Sequence, residues 1–170
     1  DRVAGRYAEL PADFRSVVDR EYAGKQFEIP IVDGSAATVS LSEAEARRCA
    51  VMYGRALEFS REVDQHLRDR TGDAYDLEIS VDETTFATLP SHHLFIAREL
   101  ERRGVQVSSL APRFIGEFQK AVDYAGDLGE FERQFAVHAA IAAAFGRYKI
   151  SVYSGSDKFS AYPIVGRYTG

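Results

Sequence analysis

Two neighbouring carboxylates, Asp82 and Glu83, close a short alternating run, Leu77-Glu78-Ile79-Ser80-Val81-Asp82-Glu83. Adjacent acids that point in different directions can divide two tasks, one accepting a proton and the other ligating a hard divalent cation. The plainer reading is that Asp82 caps a turn and Glu83 is solvated. A second polar group spans residues 108–113, where Arg113 follows Pro112. A guanidinium there can grip a substrate carboxylate through two parallel hydrogen bonds, or it is simply a surface arginine. The third group is Ser154-Gly155-Ser156-Asp157-Lys158, which offers backbone N–H groups and a cation to an anionic ligand. Its glycine spacing is not that of a P-loop. The chain has only four lysines, so a lysine in this loop stands out.

The histidines carry less. His92 and His93 are neighbours at the start of a predicted helix and project about 100° apart on it, so they do not share one metal ion without distortion. His66 reads as a solvated helix residue and His138 as a core histidine. No Ser-His-Asp order, GxGxxG or HExxH occurs, leaving a hydrolase triad and a dinucleotide fingerprint unsupported.

Regular elements must position these groups. A short helix is expected around 11–22. Phe27 to Ile31 alternates and precedes an Asp33-Gly34 turn, and Thr38 to Leu41 closes a hairpin, with Pro30 confining its strand to an edge. Ser42 and Glu45 form a capping box at the head of a long helix whose stripe is Met52, Ala56, Phe59, Val63 and Leu67, ending near Gly72. The strand at 77–82 is followed by a helix from Pro90 to Gly104, a strand from Val105 to about Leu110, and a helix capped by Asp127 and Glu130. That helix buries Phe131, Phe135, His138, Ala142 and Phe145, and Ile150 and Val152 mark a third strand.

The order β-α-β-α-β with short connections predicts parallel strands and right-handed crossovers. Each strand pairs an apolar face with a polar one, the latter made of Glu78, Ser80, Asp82, Gln106, Ser108, Ser151 and Tyr153. Strands covered by helices on both faces read as continuous apolar runs, so the polar face is expected to look into a barrel lumen. A complete eight-unit barrel needs at least ~200 residues. The expected fold is therefore α/β, a partial (β/α) TIM-type barrel over residues 42–170 preceded by an N-terminal segment with a β-hairpin over 1–41. An open flavodoxin-like sheet is the runner-up. In either, ligands bind at the carboxyl ends of the strands, where all three polar groups fall.

Composition excludes several classes. Of the 170 residues, 45% are hydrophobic and 28% charged, which is too apolar for a disordered chain and fits one domain of about 100–200 residues. No apolar stretch reaches the ~18 residues of a membrane span, which predicts a soluble protein without a membrane partner. A net charge of -5 argues against nucleic acid. Cys49 stands alone and nothing resembles a signal peptide, so the expected location is cytoplasmic. A first residue of Asp1 and an end at Gly170, in what reads as a polar loop, predict a piece of a longer protein.

Three motifs in order, Glu78 to Thr84, Ser109-Leu110-Ala111-Pro112-Arg113-Phe114-Ile115-Gly116, and Ser154 to Ser160 with Tyr162-Pro163, resemble the tagaturonate epimerase family over roughly residues 26–170. The resemblance implies a divalent-metal-dependent barrel enzyme of hexuronate catabolism that interconverts D-tagaturonate and D-fructuronate. It implies Asp82 as proton acceptor and Glu83 as a metal ligand, with the remaining ligands and the proton donor beyond Gly170. Tyr153 departs from the family pattern, which implies histidine there.

The chemistry narrows the mechanism. The two ketouronates differ at C4 while the ketone is at C2, so the C4 proton is not alpha to the carbonyl and direct abstraction needs a very strong base. A retro-aldol route avoids this: a base takes the C4 hydroxyl proton, C3–C4 breaks, a cation stabilises the enediolate, and re-addition inverts C4. Asp82 is the expected base, with Glu83 on the metal and Arg113, Ser154, Asp157 and Lys158 on substrate. Oxidation at C4 by a bound nicotinamide competes but lacks its motif. Alternatives for the whole are an aldolase or isomerase of another keto sugar acid, or an inactive binding or structural fragment. The partner expected is a small sugar acid; homo-oligomerisation is left open.

Overall fold

The computed structural model describes residues 2–169, so Asp1 and Gly170, on which the reading of a truncated chain rests, lie outside it. Two short helices, α1 (Arg2–Ala8) and α2 (Ala12–Glu21), lead into the antiparallel hairpin β1 (Lys25–Pro30) and β2 (Ala36–Leu41). The long helix α3 (Glu43–Thr71) follows. Ser42 caps it, its side chain accepting from the Glu45 N–H at 3.2 Å. The Glu45 carboxylate does not reach back to complete the box; it accepts instead from the Ser91 hydroxyl, 2.6 Å away on the next helix. The stripe expected on α3 is rotated from the one that is buried. Ala46, Cys49, Ala50, Tyr53, Gly54 and Leu57 face inward and Phe59 is 64% exposed. Small residues let α2 approach α3 closely: the Phe14 ring occupies the space that a Cβ at Gly54 would need.

Beyond α3, β3 (Glu78–Val81), α4 (Pro90–Arg102), β4 (Ser109–Pro112), α5 (Leu128–Ala144) and β5 (Lys149–Ile150) alternate, and α6 (Tyr162–Thr169) replaces the expected polar loop near the end. The three strands form a parallel sheet in the order β3-β4-β5. The structure thus has the parallel α/β sheet and the hairpin that were expected, while a closed barrel is not among its described features. No described helix is long and apolar enough to cross a membrane.

One strand starts later than expected, at Ser109 rather than Val105. Gly104, at φ 68°, turns the chain out of α4, and its N–H bonds Glu101 O while that of Val105 bonds Leu100 O. This paired closure uses Val105 to finish the helix instead of beginning a strand. The parity of β4 changes with its start. Glu78 pairs with Ser109, whose hydroxyl donates to the Glu78 carboxylate at 2.5 Å, so Ser109 and Arg113 join the polar face in place of Gln106 and Ser108.

The opposite face carries the core. Leu110 and the half-buried Ile79, Val81 and Ile150 pack with Leu94, Phe95, Ile96 and Leu100 of α4 and with Ile141 of α5. A second cluster gathers Phe114, Tyr124, Phe131, Phe135, Ala161 and Ile164 around the end of β4. Two buried acids tie elements together. Asp64 of α3 accepts from Arg68, Tyr75 and the Gln106 N–H. Glu99 of α4 accepts from Tyr22, Arg102 and Arg103. Burial alone would raise the Glu99 pKa, but these three donors hold it below the usual carboxylate range.

Candidate active site

The sheet register builds the site. Glu78 lies opposite Ser109 and Ser109 opposite Lys149; Asp82 and Arg113 stand one residue past the ends of β3 and β4, and Tyr153 stands in the turn that follows the two-residue β5. In a pleated sheet an even step keeps side chains on one face, so Asp82 and Arg113 continue the Glu78–Ser109 face at the carboxyl ends of their strands, and the exposed Tyr153 joins these two from the loop after β5. They line one cavity of about 160 Å³ together with Pro112, Phe114, Gly116, Glu117 and Phe118.

Asp82 is 7% exposed. One of its oxygens, Oδ1, accepts the Ser80 hydroxyl from two residues back on the same face, and Oδ2 is buried without a hydrogen-bond partner. A buried carboxylate oxygen left open is costly unless something else engages it, which marks it as a place for a ligand or a transferred proton. Arg113 is half-buried, and its guanidinium donates to the Thr84 carbonyl in the β3–α4 loop. Its backbone is clamped to the same loop: Thr88 N–H donates to Arg113 O at 2.7 Å, and Arg113 N–H to Thr88 Oγ1 at 3.1 Å. The loops after β3 and β4 are thereby one unit. Gly116, at φ 90°, passes so close to Tyr124 that a Cβ would overlap its hydroxyl, and that hydroxyl donates to Ile115 O at 3.1 Å.

The other sequence-predicted residues sit elsewhere. Glu83 is exposed in the turn just after Asp82 and does not line the cavity. Nor do Ser154, Asp157 and Lys158. Ser154 and Asp157 take left-handed backbone conformations, φ 49° and 63°, and shape a tight loop in which the Gly155 N–H is already donated to Val152 O at 3.0 Å. Lys158 is 1% exposed and its ammonium donates to the carbonyls of Gln119, Val122 and Ser156. Its three protons are all engaged, which leaves none for a substrate anion. Glu117 is the cavity residue that the sequence reading missed. It lies four residues past Arg113 in the same strand-end loop, and its place there is the only signal that pointed to it.

No group of three His, Cys, Asp or Glu side chains able to enclose a metal ion occurs among the described residues. A divalent cation held at Glu83 would need further ligands beyond the described residues.

A family model described as tagaturonate epimerase matches residues 1–170. The chain belongs to the tagaturonate epimerase family. A curated relative, the tagaturonate/fructuronate epimerase of Thermotoga maritima, is 44% identical over 153 residues, covering 90% of this chain and 31% of its own length. The native crystal structure of fructuronate-tagaturonate epimerase UxaE from Cohnella laeviribosi superposes with a TM-score of 0.89 at 43% identity, covering 99% of this chain and 33% of that one. A glycerol complex of the same Cohnella enzyme gives 0.88 over the same shares. The chain therefore spans about a third of the length of the epimerases it matches, and it is within this third of the family fold that Asp82, Arg113 and Tyr153 converge.

Proposed function

We propose that this chain is part of an isomerase that inverts C4 of a ketohexuronate, interconverting D-tagaturonate and D-fructuronate, and that its cavity holds the catalytic base. The observation that carries the reading is the buried, unpartnered Oδ2 of Asp82 in a cavity that Arg113 also lines. A base must lie at a pocket where its proton-accepting atom is not already used, and a guanidinium nearby suits a substrate with a carboxylate.

In the proposed sequence Asp82 takes the proton of the C4 hydroxyl. That O–H electron pair becomes the carbonyl of an aldehyde at C4, the C3–C4 bond breaks, and its electrons pass through C3 to the C2 oxygen as an enediolate. The aldehyde rotates with its carboxylate held by Arg113, C3 attacks the opposite face, and Asp82 returns the proton to the C4 oxygen. The Tyr153 phenol is in the same cavity and is a donor for a substrate hydroxyl. A divalent cation remains in the proposal through Glu83, one carboxylate of a ligand set that these residues do not complete; when bound, it would lower the energy of the enediolate charge.

The surrounding fold proposed is a (β/α) barrel. A cleft of about 900 Å³ beside β5, lined by Ala136, Ala139, Ala140, Ile150 and Val165, supports it, because an apolar hollow along an outer strand suits a further βα unit. A cytoplasmic metabolic role fits the substrate class.

The test is C4 inversion of D-fructuronate by the full-length protein that contains this chain, with and without the Asp82→Asn substitution. Inversion that disappears in the variant supports the reading; inversion that persists overturns it.

A further inference from the structure

Behind the Thr88 loop, three buried side chains that the proposed reaction does not use stand in a row. Tyr148 Oη is 2.7 Å from His93 Nε2, and His93 Nδ1 is 2.8 Å from His138 Nδ1. Both imidazoles are fully buried. Burial drives the His93 pKa well below its usual value, with a further push from His138, and burial takes His138 down to about 3, opposed by the Thr88 backbone. Each ring is therefore neutral and carries one N–H, and one proton lies between the two Nδ1 atoms.

The far end of the row decides which ring owns that proton. His138 Nε2 is buried and has no hydrogen-bond partner, and the Thr88 backbone acts on this ring in the sense that favours its charged form. Thr88 has already given its N–H to Arg113 O, which leaves its carbonyl as the backbone group that can act on the ring. A carbonyl facing a bare imidazole lone pair is repulsive, whereas one facing an N–H is attractive. His138 then carries its proton on Nε2, accepts at Nδ1 from His93, and His93 Nε2 accepts from the Tyr148 hydroxyl. The His138 ring also meets Phe114 edge-on, with centroids 5.4 Å apart. It thus touches the residue that follows Arg113.

We propose that Tyr148, His93 and His138 form a one-way chain of two neutral hydrogen bonds whose last N–H, on His138 Nε2, is directed toward the Thr88 carbonyl, and that His138 is a positioning residue for Arg113. The positioning role rests on the proposed function, in which Arg113 holds the substrate carboxylate; the order of protons in the chain does not.

The experiment uses the full-length protein that contains this chain. Imidazole ¹⁵N spectra should show His93 protonated at Nδ1 and His138 at Nε2, each ring assigned through its correlations to its own backbone in the unsubstituted protein. The reverse tautomers overturn the chain. With D-fructuronate as substrate, His138→Leu should raise KM about tenfold with a much smaller change in kcat, and His138→Gln, whose amide places a donor near Nε2, should restore most of it. Unchanged KM in a folded His138→Leu protein, or a Gln variant no better than Leu, overturns the positioning role. If neither variant folds, the tautomers of the unsubstituted protein decide the chain. No inversion in the unsubstituted protein defeats the proposed function and the positioning role with it, while the tautomers still test the proton order.

Discussion

Ser80 donates its hydroxyl to Oδ1 of Asp82, two residues further along the same face of β3, and leaves Oδ2 buried and open. The pair fixes the carboxylate rotamer and assigns its two oxygens different duties, one to hold position and one to meet a ligand. Asp82→Asn keeps the shape and the Ser80 contact but removes the basic lone pair. Inversion at C4 should fall by at least about a hundredfold, with the melting temperature little changed. Ser80→Ala frees the rotamer without removing the base, so its loss should be no more than about tenfold. Coupled assays of substrate disappearance, beside circular-dichroism melts, check both. A larger loss in Ser80→Ala than in Asp82→Asn would contradict this division.

Asp82 and Glu83 also separate by metal content. Asp82 is buried and Glu83 exposed at the turn, so the proposed roles of base and cation ligand predict different outcomes. Glu83→Gln should lower the divalent metal retained by the full-length protein, whereas Asp82→Asn should leave it nearly intact. Elemental analysis after desalting reads this directly, and equal losses in the two variants would end the split.

Arg113→Lys tests the carboxylate grip. Lysine keeps the charge but not the planar fork that donates to Thr84 O and has further N–H groups for a substrate. KM for D-fructuronate should rise by about tenfold or more, with a smaller fall in kcat. An unchanged KM would remove Arg113 from substrate binding.

The strand ends were legible in the sequence because alternation, helix caps and right-handed crossovers are local signals, and they brought Asp82, Arg113 and Tyr153 toward one rim. Four things were not legible. The start of β4 was hidden because Val105 looks like a strand residue but closes α4 through Gly104. The buried face of α3 was misjudged because its packing uses Ala46, Ala50 and Gly54, which carry little apolar weight, while Phe59 remains outside. Lys158 read as an anion ligand because charge is visible in a sequence and the loop carbonyls that capture it are not. Glu117 was missed for a related reason: nothing in its neighbours shows that the loop folds back to bridge Glu117 with Ala125.

The three carbonyls around Lys158 give a prediction about stability. Lys158 joins the segments at Gln119, Val122 and Ser156, and Lys158→Met would leave those acceptors without their buried donor. The expected cost is about 2–4 kcal/mol of unfolding free energy, read from the urea midpoint. Turnover measured well below the unfolding transition should change by less than about threefold. A large fall in kcat with an unmoved midpoint would return Lys158 to the active site.

Acid should weaken the fold through the same histidines that line up behind Thr88. His138 has a folded pKa of about 3 against a usual 6.5, and His93 is shifted in the same direction. Between those pH values the unfolded chain binds protons that the folded chain refuses. Stability is then complete above pH 6.5 and declines as pH falls, by about 1.4 kcal/mol per pH unit for each histidine once its unfolded form is fully protonated. Glu99 and Asp64, whose pKa values are lowered, lose their contributions only below the unfolded carboxylate range, near 4.5 and 3.8, so the interval from pH 6.5 to 5 isolates the histidines. Urea midpoints taken across that interval should slope downward toward acid. His138→Gln should reduce the slope by about one proton, because the glutamine takes up no proton in either state. An identical slope in the variant would mean that His138 is already protonated in the folded protein, which is incompatible with a ring buried between His93 and Phe114.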